Sequence, residues 1–328
     1  MGFTLTTTAP NALSLIAADM QGVDAVIQQR LSTDVPLVSQ VAHYIIQAGG
    51  KRLRPALLLL ISGALQSQSA HRHAMAAVVE FIHTATLLHD DVVDESSMRR
   101  GRHTANHAFG NAASVLVGDF LYSRAFQMMV DTGSMRVMQI LADATNVIAE
   151  GEVLQLMNMH DAHLAEADYL RVIRSKTAKL FEASARLAAV LCGADDAIEA
   201  QAATYGQALG TAFQVIDDVL DYEGDAAELG KNLGDDLREG KMTLPVICTL
   251  QHCSEEDAGL IRMAIEQGHS EDLGRIVSII RQSGGLTQAR IAAQTEAERA
   301  VAAIAHWPRN AHQQALVQLA QDLLQRRA

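Results

Sequence analysis

The sequence predicts an all-α protein, folded as a single large helical bundle around a deep central cavity. It contains only five prolines, and none lies between Pro55 and Pro245. The intervening 189 residues (56 through 244) therefore lack the residue that interrupts helices most strongly. They are rich in Ala, Leu, Gln, Met and Glu, which favour helices, and the Val-rich alternating runs typical of strands are few. Long helix-patterned segments of this kind suit a bundle whose core holds a pocket.

Glycines mark the expected helix ends, because glycine readily adopts the left-handed conformation found there. The helices are expected at residues 11–31, 36–48, 54–67, 71–96, 104–109, 112–132, 135–159, 166–192, 196–222, 238–251, 255–267, 271–282, 286–305 and 309–326. Pro55 is expected at the first position of its helix, where a missing N–H costs no hydrogen bond. No repeat or linker-like segment divides the chain, so residues 1–328 are expected to form one domain, with the first 30 or so peripheral.

Composition limits the classes of partner and the cellular compartment in which the protein is expected. The chain has 26 Lys+Arg against 38 Asp+Glu, a net charge of -12, which argues against a nucleic-acid partner. The three cysteines form no C-x-x-C pair, as is typical of a reduced, cytoplasmic protein. The longest apolar run, residues 56–65, is shorter than the roughly 20 residues that a membrane span needs. Any membrane contact is therefore expected to be peripheral.

Two Asp-Asp-x-x-Asp clusters carry the strongest chemical signal, each inside an apolar, helix-patterned run. Their members are Asp90, Asp91 and Asp94, and Asp217, Asp218 and Asp221. On a helix, the first and last aspartates of a cluster share a face, where like charges repel unless a cation holds them. Oxygen ligands without His or Cys point to a hard ion such as Mg²⁺. A solvated acidic patch or a helix cap is the alternative for either copy alone. The clusters lie 127 positions apart (217 minus 90), so they act together only if their helices flank one cavity.

Local groups of cations accompany the clusters. Arg99 and Arg100 follow the first cluster, and guanidinium forks bind phosphate oxygens while Mg²⁺ bridges phosphate and carboxylate. A basic helix C-terminus is the alternative. The segment 49–55 places Lys51 and Arg54 beside an expected helix start, which suits an anion, and a solvated basic turn is its alternative.

Other polar residues fall near the same predicted surfaces. His83 lies seven residues before Asp90, so it is either a satisfied core histidine or part of the cavity wall. The remaining candidates in the second half are Lys176, Thr177, Gln214, Lys231 and Lys241. Lys231 lies in the loop 230–236, which could close over a ligand as a lid.

These motifs occur in an order that resembles the trans-isoprenyl diphosphate synthase family. The matching segments are Gly-Gly-Lys-Arg-x-Arg-Pro at 49–55, Asp90–Asp94 with Arg99-Arg100, Lys176-Thr177, Phe213–Asp218, Gly230-Lys231 and Gly240–Thr243. The resemblance runs from about residue 35 onward, and stretches such as 149–157 are similar to the bacterial octaprenyl diphosphate synthases. It implies a fold of the isoprenoid synthase type and Mg²⁺-dependent condensation of isopentenyl diphosphate onto an allylic diphosphate. Farnesyl diphosphate is the expected primer, and two to three Mg²⁺ ions and a homodimer are also implied.

The resemblance further implies a role for each motif residue. The direct metal ligands are expected to be Asp90, Asp94 and Asp217, supported by Asp91, Asp218 and Asp221. The allylic diphosphate is expected to contact Arg99, Lys176, Thr177, Gln214 and Lys241, with Lys231 as a further candidate. Isopentenyl diphosphate is expected to contact Lys51, Arg54, His83 and Arg100. No side chain stands out as the final base, and the released diphosphate is the expected proton acceptor.

Product length is expected to depend on two small residues before the first cluster. Ala85 and Thr86 are expected one turn deeper on the cavity side, roughly 6–7.5 Å below the metals at about 1.5 Å per residue. Short-chain members of the family carry aromatic rings at this level. The resemblance therefore implies an open tunnel and a product of about C40, which would supply the side chain of a quinone, either ubiquinone or menaquinone. The alternative is that both residues merely pack at a helix crossing.

Three rival functions are compatible with parts of the pattern. A class I terpene cyclase shares the first cluster but normally replaces the second with an Asn/Ser/Glu triad, and it needs no second diphosphate site. A non-catalytic partner subunit is expected to lose Asp or Arg positions at the motifs, and none is lost here. A helical scaffold or Ca²⁺ buffer has no use for the ordered cations. The intact pair of clusters favours prenyl elongation over all three.

Overall fold

A computed structural model of the chain describes residues 12–47, 49–99, 101–223, 234–268 and 272–326. Its elements are helices apart from one two-stranded hairpin, so the predicted all-α class is confirmed. The first half comprises α1 (Ala12–Leu15), α2 (Ala17–Arg30), α3 (Pro36–Gln47), α4 (Leu53–Ala64), α5 (Arg72–Val93), β1 (Met98–Arg99), β2 (Arg102–His103), α6 (Ala105–Phe109), α7 (Asn111–Val130) and α8 (Met135–Met157). The second half comprises α9 (Glu166–Ile173), a π-helical turn (Arg174–Ala178), α10 (Lys179–Leu191), α11 (Asp196–Glu223), α12 (Asp235–Arg238), α13 (Leu244–Leu250), α14 (Glu255–Gln267), α15 (Leu273–Gln282), α16 (Gly285–Ala303) and α17 (Ala311–Leu324).

Most expected helices are confirmed, with ends that differ by three residues or fewer, and the exceptions are informative. The expected helix 166–192 is interrupted by the π-helical turn Arg174–Ala178, hereafter called the π-turn. The expected helix 238–251 is wrong, because Gly240 is left-handed and the next helix begins only at Leu244. Pro55 is the third residue of α4 rather than the first, which is tolerated because the first four N–H groups of a helix have no intrahelical acceptor.

The helices that carry the two Asp clusters form the walls of one core. α5 packs against α4 and α7, α11 packs against α10 and α16, and α10 also touches α4, α5 and α8. Glycines allow the closest of these approaches: a Cβ at Gly206 would lie 2.5 Å from the carbonyl oxygen of Phe181, and one at Gly210 would lie 2.7 Å from Cα of Ala178. α11 can therefore lie almost directly against α10 and the π-turn.

An ion cluster ties three of these helices together away from the cavity. Glu199 of α11 is buried and accepts hydrogen bonds from Arg136 of α8, at 2.7 and 3.3 Å, and from Arg186 of α10, at 2.8 and 3.0 Å. Burial alone would raise the pKa of Glu199, but the hydrogen bonds from the two arginines hold it below its usual 4.5. The helix α2 packs against α5, and its residues Val23 and Ile27 are buried. Among the residues described, no helix has the length and apolar character needed to span a membrane.

Candidate active site

A cavity of about 900 Å³ opens between α5 and α11, and both Asp clusters reach it. Asp90 and Asp94 line it from α5, and Asp217, Asp218 and Asp221 line it from α11. The condition set by the sequence, that the two distant clusters must share one cavity, is therefore met. Apolar side chains such as Leu87, Leu164, Val172 and Phe181 form other parts of its wall.

Asp91 plays a different part from its neighbours in the first cluster. It is fully buried and lies outside the lining, and its Oδ1 accepts hydrogen bonds from Arg99 Nε at 2.9 Å and Nη2 at 2.7 Å. Arg99 itself lies on β1, where it pairs with Arg102 of β2, and its side chain lines the cavity. The hairpin, which the sequence analysis did not predict, thus fixes the backbone of Arg99, and buried Asp91 fixes its guanidinium.

Lysines stand beside both cavity-facing carboxylates of the first cluster. Lys176 Nζ lies 3.7 Å from Asp90 and 2.6 Å from Glu152, and Lys241 Nζ lies 3.3 Å from Asp94. Burial raises the pKa of Asp90 although Lys176 opposes the shift, and burial together with the Asp90 charge raises the pKa of Glu152 to about 7. Glu152 was missed by the sequence analysis, although an acidic residue within the apolar pattern of α8 was a usable signal.

The π-turn presents Lys176 and Thr177 to the cavity together. A π-helical turn contains one residue more than an α-helical turn. The side chains that follow it are therefore rotated about the helix axis relative to their positions in a regular α-helix. Thr177 Oγ1 donates to Gln214 Oε1 at 2.9 Å, and Gln214 Nε2 donates to Asp218 Oδ1 at 2.7 Å. Gly151 of α8 makes room for the turn, since a Cβ there would lie 2.7 Å from the backbone nitrogen of Lys176.

The second cluster is held by partners on several elements. Asp218 is buried and accepts a 2.6 Å hydrogen bond from the hydroxyl of Tyr169, a second residue that the sequence analysis missed. Burial and the neighbouring Asp236 raise the pKa of Asp218 to about 8. Asp221 Oδ2 accepts from the backbone N–H of Asp236 at 3.3 Å. Asp217 is the most exposed of the three and pairs with Arg326 at 2.8 Å.

The basic segment before α4 meets the cavity on another side. Lys51, Arg54 and His83 all line it, and Arg54 Nη1 donates to His83 Nε2 at 3.2 Å. The Arg54 guanidinium also stacks on the ring of Phe181, 4.5 Å from its centroid. His83 is therefore part of the cavity wall rather than only a core residue.

One expected position is wrong and two lie outside the described residues. Thr86 lines the cavity, but Ala85 is fully buried and is not part of the lining. The reason is angular: at about 100° per residue, Thr86 is rotated only about 40° from Asp90, and Ala85 about 140°. Arg100 and Lys231 lie outside the described part of the chain.

The donor set suits a hard cation that takes some ligands from substrate. No three acidic, imidazole or thiol groups of the described residues converge into a preformed metal cage. The candidate ligands that line the cavity are all carboxylate oxygens, one group from α5 and one from α11. Mg²⁺ is commonly bound through one or two carboxylates together with phosphate oxygens and water, so these residues fit it.

Comparisons with known proteins agree with this geometry. The polyprenyl synthetase family model matches residues 35–282. The octaprenyl diphosphate synthase of Escherichia coli K12 is 51% identical over 313 residues, which cover 95% of this chain and 97% of that protein. The octaprenyl diphosphate synthase of Haemophilus influenzae is 52% identical over 303 residues, or 92% of each chain. The crystal structure of a polyprenyl synthase from Caulobacter crescentus CB15, complexed with calcium and isoprenyl diphosphate, superposes with a TM-score of 0.94 at 45% identity, covering 99% of this chain and 100% of that one.

Proposed function

The chain belongs to the polyprenyl synthetase family and has its all-α isoprenoid synthase fold, and from that premise we propose that it makes octaprenyl diphosphate. It is a prenyltransferase that condenses isopentenyl diphosphate onto an allylic diphosphate. Farnesyl diphosphate is the proposed primer and C40 the proposed length. The observation that carries the proposal is that both carboxylate clusters line one cavity, whose wall also holds two separate groups of cations.

Asp90, Asp94 and Asp217 are the proposed ligands of two to three Mg²⁺ ions. When bound, these ions would neutralise the negative charge that develops on the departing diphosphate. Asp91 supports the site by holding Arg99, and Asp218 supports it by ordering Gln214. Asp221 completes the second cluster.

Two groups of side chains would bind the two substrates. The allylic diphosphate is proposed to contact Arg99, Lys176, Thr177, Gln214 and Lys241, with Lys231 as a further candidate outside the described residues. Isopentenyl diphosphate is proposed to contact Lys51, Arg54 and His83, together with Arg100, which also lies outside them. Burial acts to lower the pKa of Lys241, but nearby Asp236, Glu239 and Asp94 raise it, so this lysine stays charged at neutral pH and can bind an anion.

The proposed reaction breaks the C1–O bond of the allylic diphosphate and leaves an allylic cation. The double bond of isopentenyl diphosphate supplies the electron pair for the new C–C bond, and a proton is then lost to the released diphosphate. The cation must be kept from water, and apolar residues such as Leu87, Leu164 and Val172 line the cavity where it would form. Thr86, a small residue on the wall, leaves space for a growing tail.

A homodimer is the proposed assembly, and α7 and α8 are its proposed interface. Both helices expose large apolar side chains, including Leu116 at 66%, Val130 at 62% and Met157 at 75%. Exposed apolar patches of this kind commonly mark protein interfaces. The cytoplasm is the proposed location, in keeping with three free cysteines, and contact with membranes would be peripheral, for release of the product into quinone synthesis, with ubiquinone as the proposed destination.

The test combines purified protein, Mg²⁺, farnesyl diphosphate and radiolabelled isopentenyl diphosphate, with products separated after dephosphorylation. The expected product is C40 octaprenol. Release of a cyclised hydrocarbon without incorporation of label would instead support a terpene cyclase. Incorporation only after a second protein is added would support a regulatory subunit. Either result would overturn the proposal.

A further inference from the structure

His160 lies where the end of α8 meets the loop that carries Lys241. It follows Asn158 and Met159, which line the cavity just after α8, but it is not itself part of the lining. Its backbone is left-handed, with a φ of 64°. Among residues other than glycine this conformation is uncommon, and Asn, Asp and His adopt it most readily. A residue keeps such a backbone only where its surroundings hold it there.

The imidazole of His160 contacts the backbone of two other segments. Its Nδ1 lies 2.9 Å from the carbonyl oxygen of Ile265, in the last turn of α14. A carbonyl oxygen only accepts hydrogen bonds, so Nδ1 carries a proton and donates it to this contact. A Cβ at Gly240 would collide with the ring, and a Cβ at Gly268 would lie 2.8 Å from its Cε1. The ring therefore fits between two glycines that no larger residue could replace without moving it.

The peptide group between Gly240 and Lys241 is held on both of its edges. Its carbonyl oxygen accepts from the backbone N–H of His160 at 2.9 Å, and its N–H donates to the carbonyl oxygen of Asp236 at 2.8 Å. The N–H of Gly240, whose φ is 73°, donates to the carbonyl oxygen of Leu237 at 3.0 Å, so α12 ends in a Schellman motif. His160 is thus one of the two groups that set the direction in which the chain enters Lys241.

Lys241 depends on such support because it lies in no helix. It lies between α12, which ends at Arg238, and α13, which begins at Leu244. Its Nζ nevertheless reaches Asp94 of the first cluster at 3.3 Å and Glu239 at 2.5 Å. A lysine ammonium is carried on a flexible four-carbon stem, so its position in the cavity requires a fixed backbone.

We propose that His160 is a positioning residue for the allylic diphosphate site and that it acts through Lys241. The inference rests on the proposed function, in which Lys241 contacts this diphosphate. The imidazole ties residue 160 to α14, and the N–H of the same residue holds the peptide that precedes Lys241. His160 touches neither substrate and takes part in no proton transfer. Isopentenyl diphosphate, whose proposed contacts Lys51, Arg54 and His83 lie on other elements, does not depend on it.

His160→Gly tests this role, because glycine suits the left-handed backbone and removes the imidazole together with its donor. A displacement of about 1 Å can cost about 100-fold in rate, so we expect kcat/KM for farnesyl diphosphate to fall about 10- to 100-fold. The KM for isopentenyl diphosphate should change by less than about threefold. His160→Asn should recover most of the loss, because Asn also adopts the left-handed conformation and its Nδ2 can donate in place of Nδ1.

A double-mutant cycle with Lys241→Gln shows whether His160 acts through Lys241. Once the ammonium has been removed, His160→Gly should lower kcat/KM for farnesyl diphosphate by less than about threefold further. Calorimetric titration of farnesyl thiodiphosphate, an analogue that binds without reacting, into the full chain with Mg²⁺ should give the same pattern for affinity.

His163→Gly is the matched control, since His163 is exposed three residues further along and its loss should leave the kinetics with both substrates unchanged. Circular dichroism melts would establish that the variants fold. If His160→Gly does not fold, Gly268→Ala carries the test, because it leaves His160 in place and puts a methyl group 2.8 Å from its ring. The same selective loss for farnesyl diphosphate is then expected.

Unchanged kinetics with farnesyl diphosphate in the folded variant would overturn the proposal. So would an equal loss for both substrates, or a loss that is undiminished in the Lys241→Gln background, because His160 would then act on the fold as a whole. Failure of the wild type to incorporate isopentenyl diphosphate would instead contradict the proposed function itself.

Discussion

Gly151→Ala places a methyl group against the π-turn that carries Lys176 and Thr177. The new Cβ would lie 2.7 Å from the backbone nitrogen of Lys176 and 2.8 Å from Cβ of Ser175. Ordinary contact begins at 3.4 Å, and backbone atoms cannot rotate aside, so the turn must retreat by about 0.7 Å, the difference between these distances. Lys176 lies between Glu152 and Asp90, so the shift would displace a proposed ligand of the allylic diphosphate.

The magnitude follows from how sharply catalysis depends on position. A displacement of about 1 Å can cost about 100-fold in rate, so we expect kcat/KM for farnesyl diphosphate to fall about 10- to 100-fold. Overpacking costs about 1–3 kcal/mol of stability, and the helix preference of Ala over Gly returns about 0.5–1 kcal/mol. The free energy of unfolding should therefore drop by roughly 0–2.5 kcal/mol.

Steady-state kinetics with farnesyl diphosphate varied at saturating isopentenyl diphosphate would measure the first effect, and urea denaturation the second. Gly259→Ala is the control, because Gly259 is exposed on α14 and no atom lies within 4 Å of an added Cβ. It should leave the kinetics unchanged and add about 0.5–1 kcal/mol of stability. A Gly151→Ala enzyme with kcat/KM within twofold of wild type would refute the reasoning.

Three further predictions test other parts of the molecule. Asp90→Ala and Asp217→Ala should each abolish turnover in the standard assay, and the double variant should be no worse than either, since the groups act as a unit; near-normal activity in one folded variant would contradict the shared site. Thr86→Phe should shorten the product from C40 to C15–C20 by chromatography, whereas Ala85→Phe should mainly cost about 1–3 kcal/mol of stability, because its side chain enters the core; the reverse pattern would place the tunnel elsewhere. Glu199→Gln should lower the free energy of unfolding by about 1–3 kcal/mol at pH 7. Because the pKa of Glu199 is lowered in the folded state, the stability difference between the wild type and this variant is fully present above the unfolded pKa of about 4.5. It is lost as the pH falls through the folded pKa. Urea titrations that show a constant difference down to about pH 3 would be inconsistent with the ion cluster.

The helices and the two clusters could be predicted because their signals are local. Apolar spacing is visible within any short window of the sequence. The absence of proline is read equally directly, and here it extends over 189 residues. The π-turn could not be predicted in this way, because nothing in residues 166–192 interrupts the helical pattern. Its extra residue is stabilised from outside, where Gly151 of α8 and Gly210 of α11 let two helices pack against the turn. These contacts join positions that are distant in sequence.

The error at Ala85 has a different origin. The prediction rests on depth below Asp90 along the helix axis, and Ala85 and Thr86 differ little in depth. A helix rotates by about 100° per residue, so Ala85 lies about 140° from Asp90 and is buried, although it is only one residue from Thr86. The same rotation turns Asp91 into the core and leaves Asp90 and Asp94 on the cavity. Angular position relative to Asp90 was available from the sequence and separates Thr86 from Ala85.

Charge pairing in the cavity has a consequence for how the substrates bind. Lys176 and Lys241 each lie beside a carboxylate of the first cluster, so an allylic diphosphate that binds these lysines draws their charge away from Asp90 and Asp94. Uncompensated carboxylates in a partly buried site are costly, and a divalent cation is the partner that would restore the balance. Binding of the allylic diphosphate and of Mg²⁺ should therefore be mutually dependent, because each supplies the charge that the other displaces. The acidic excess of the chain is compatible with anionic substrates for the same reason. When the lysines bind the diphosphate, metal ions would neutralise the carboxylates that those lysines leave.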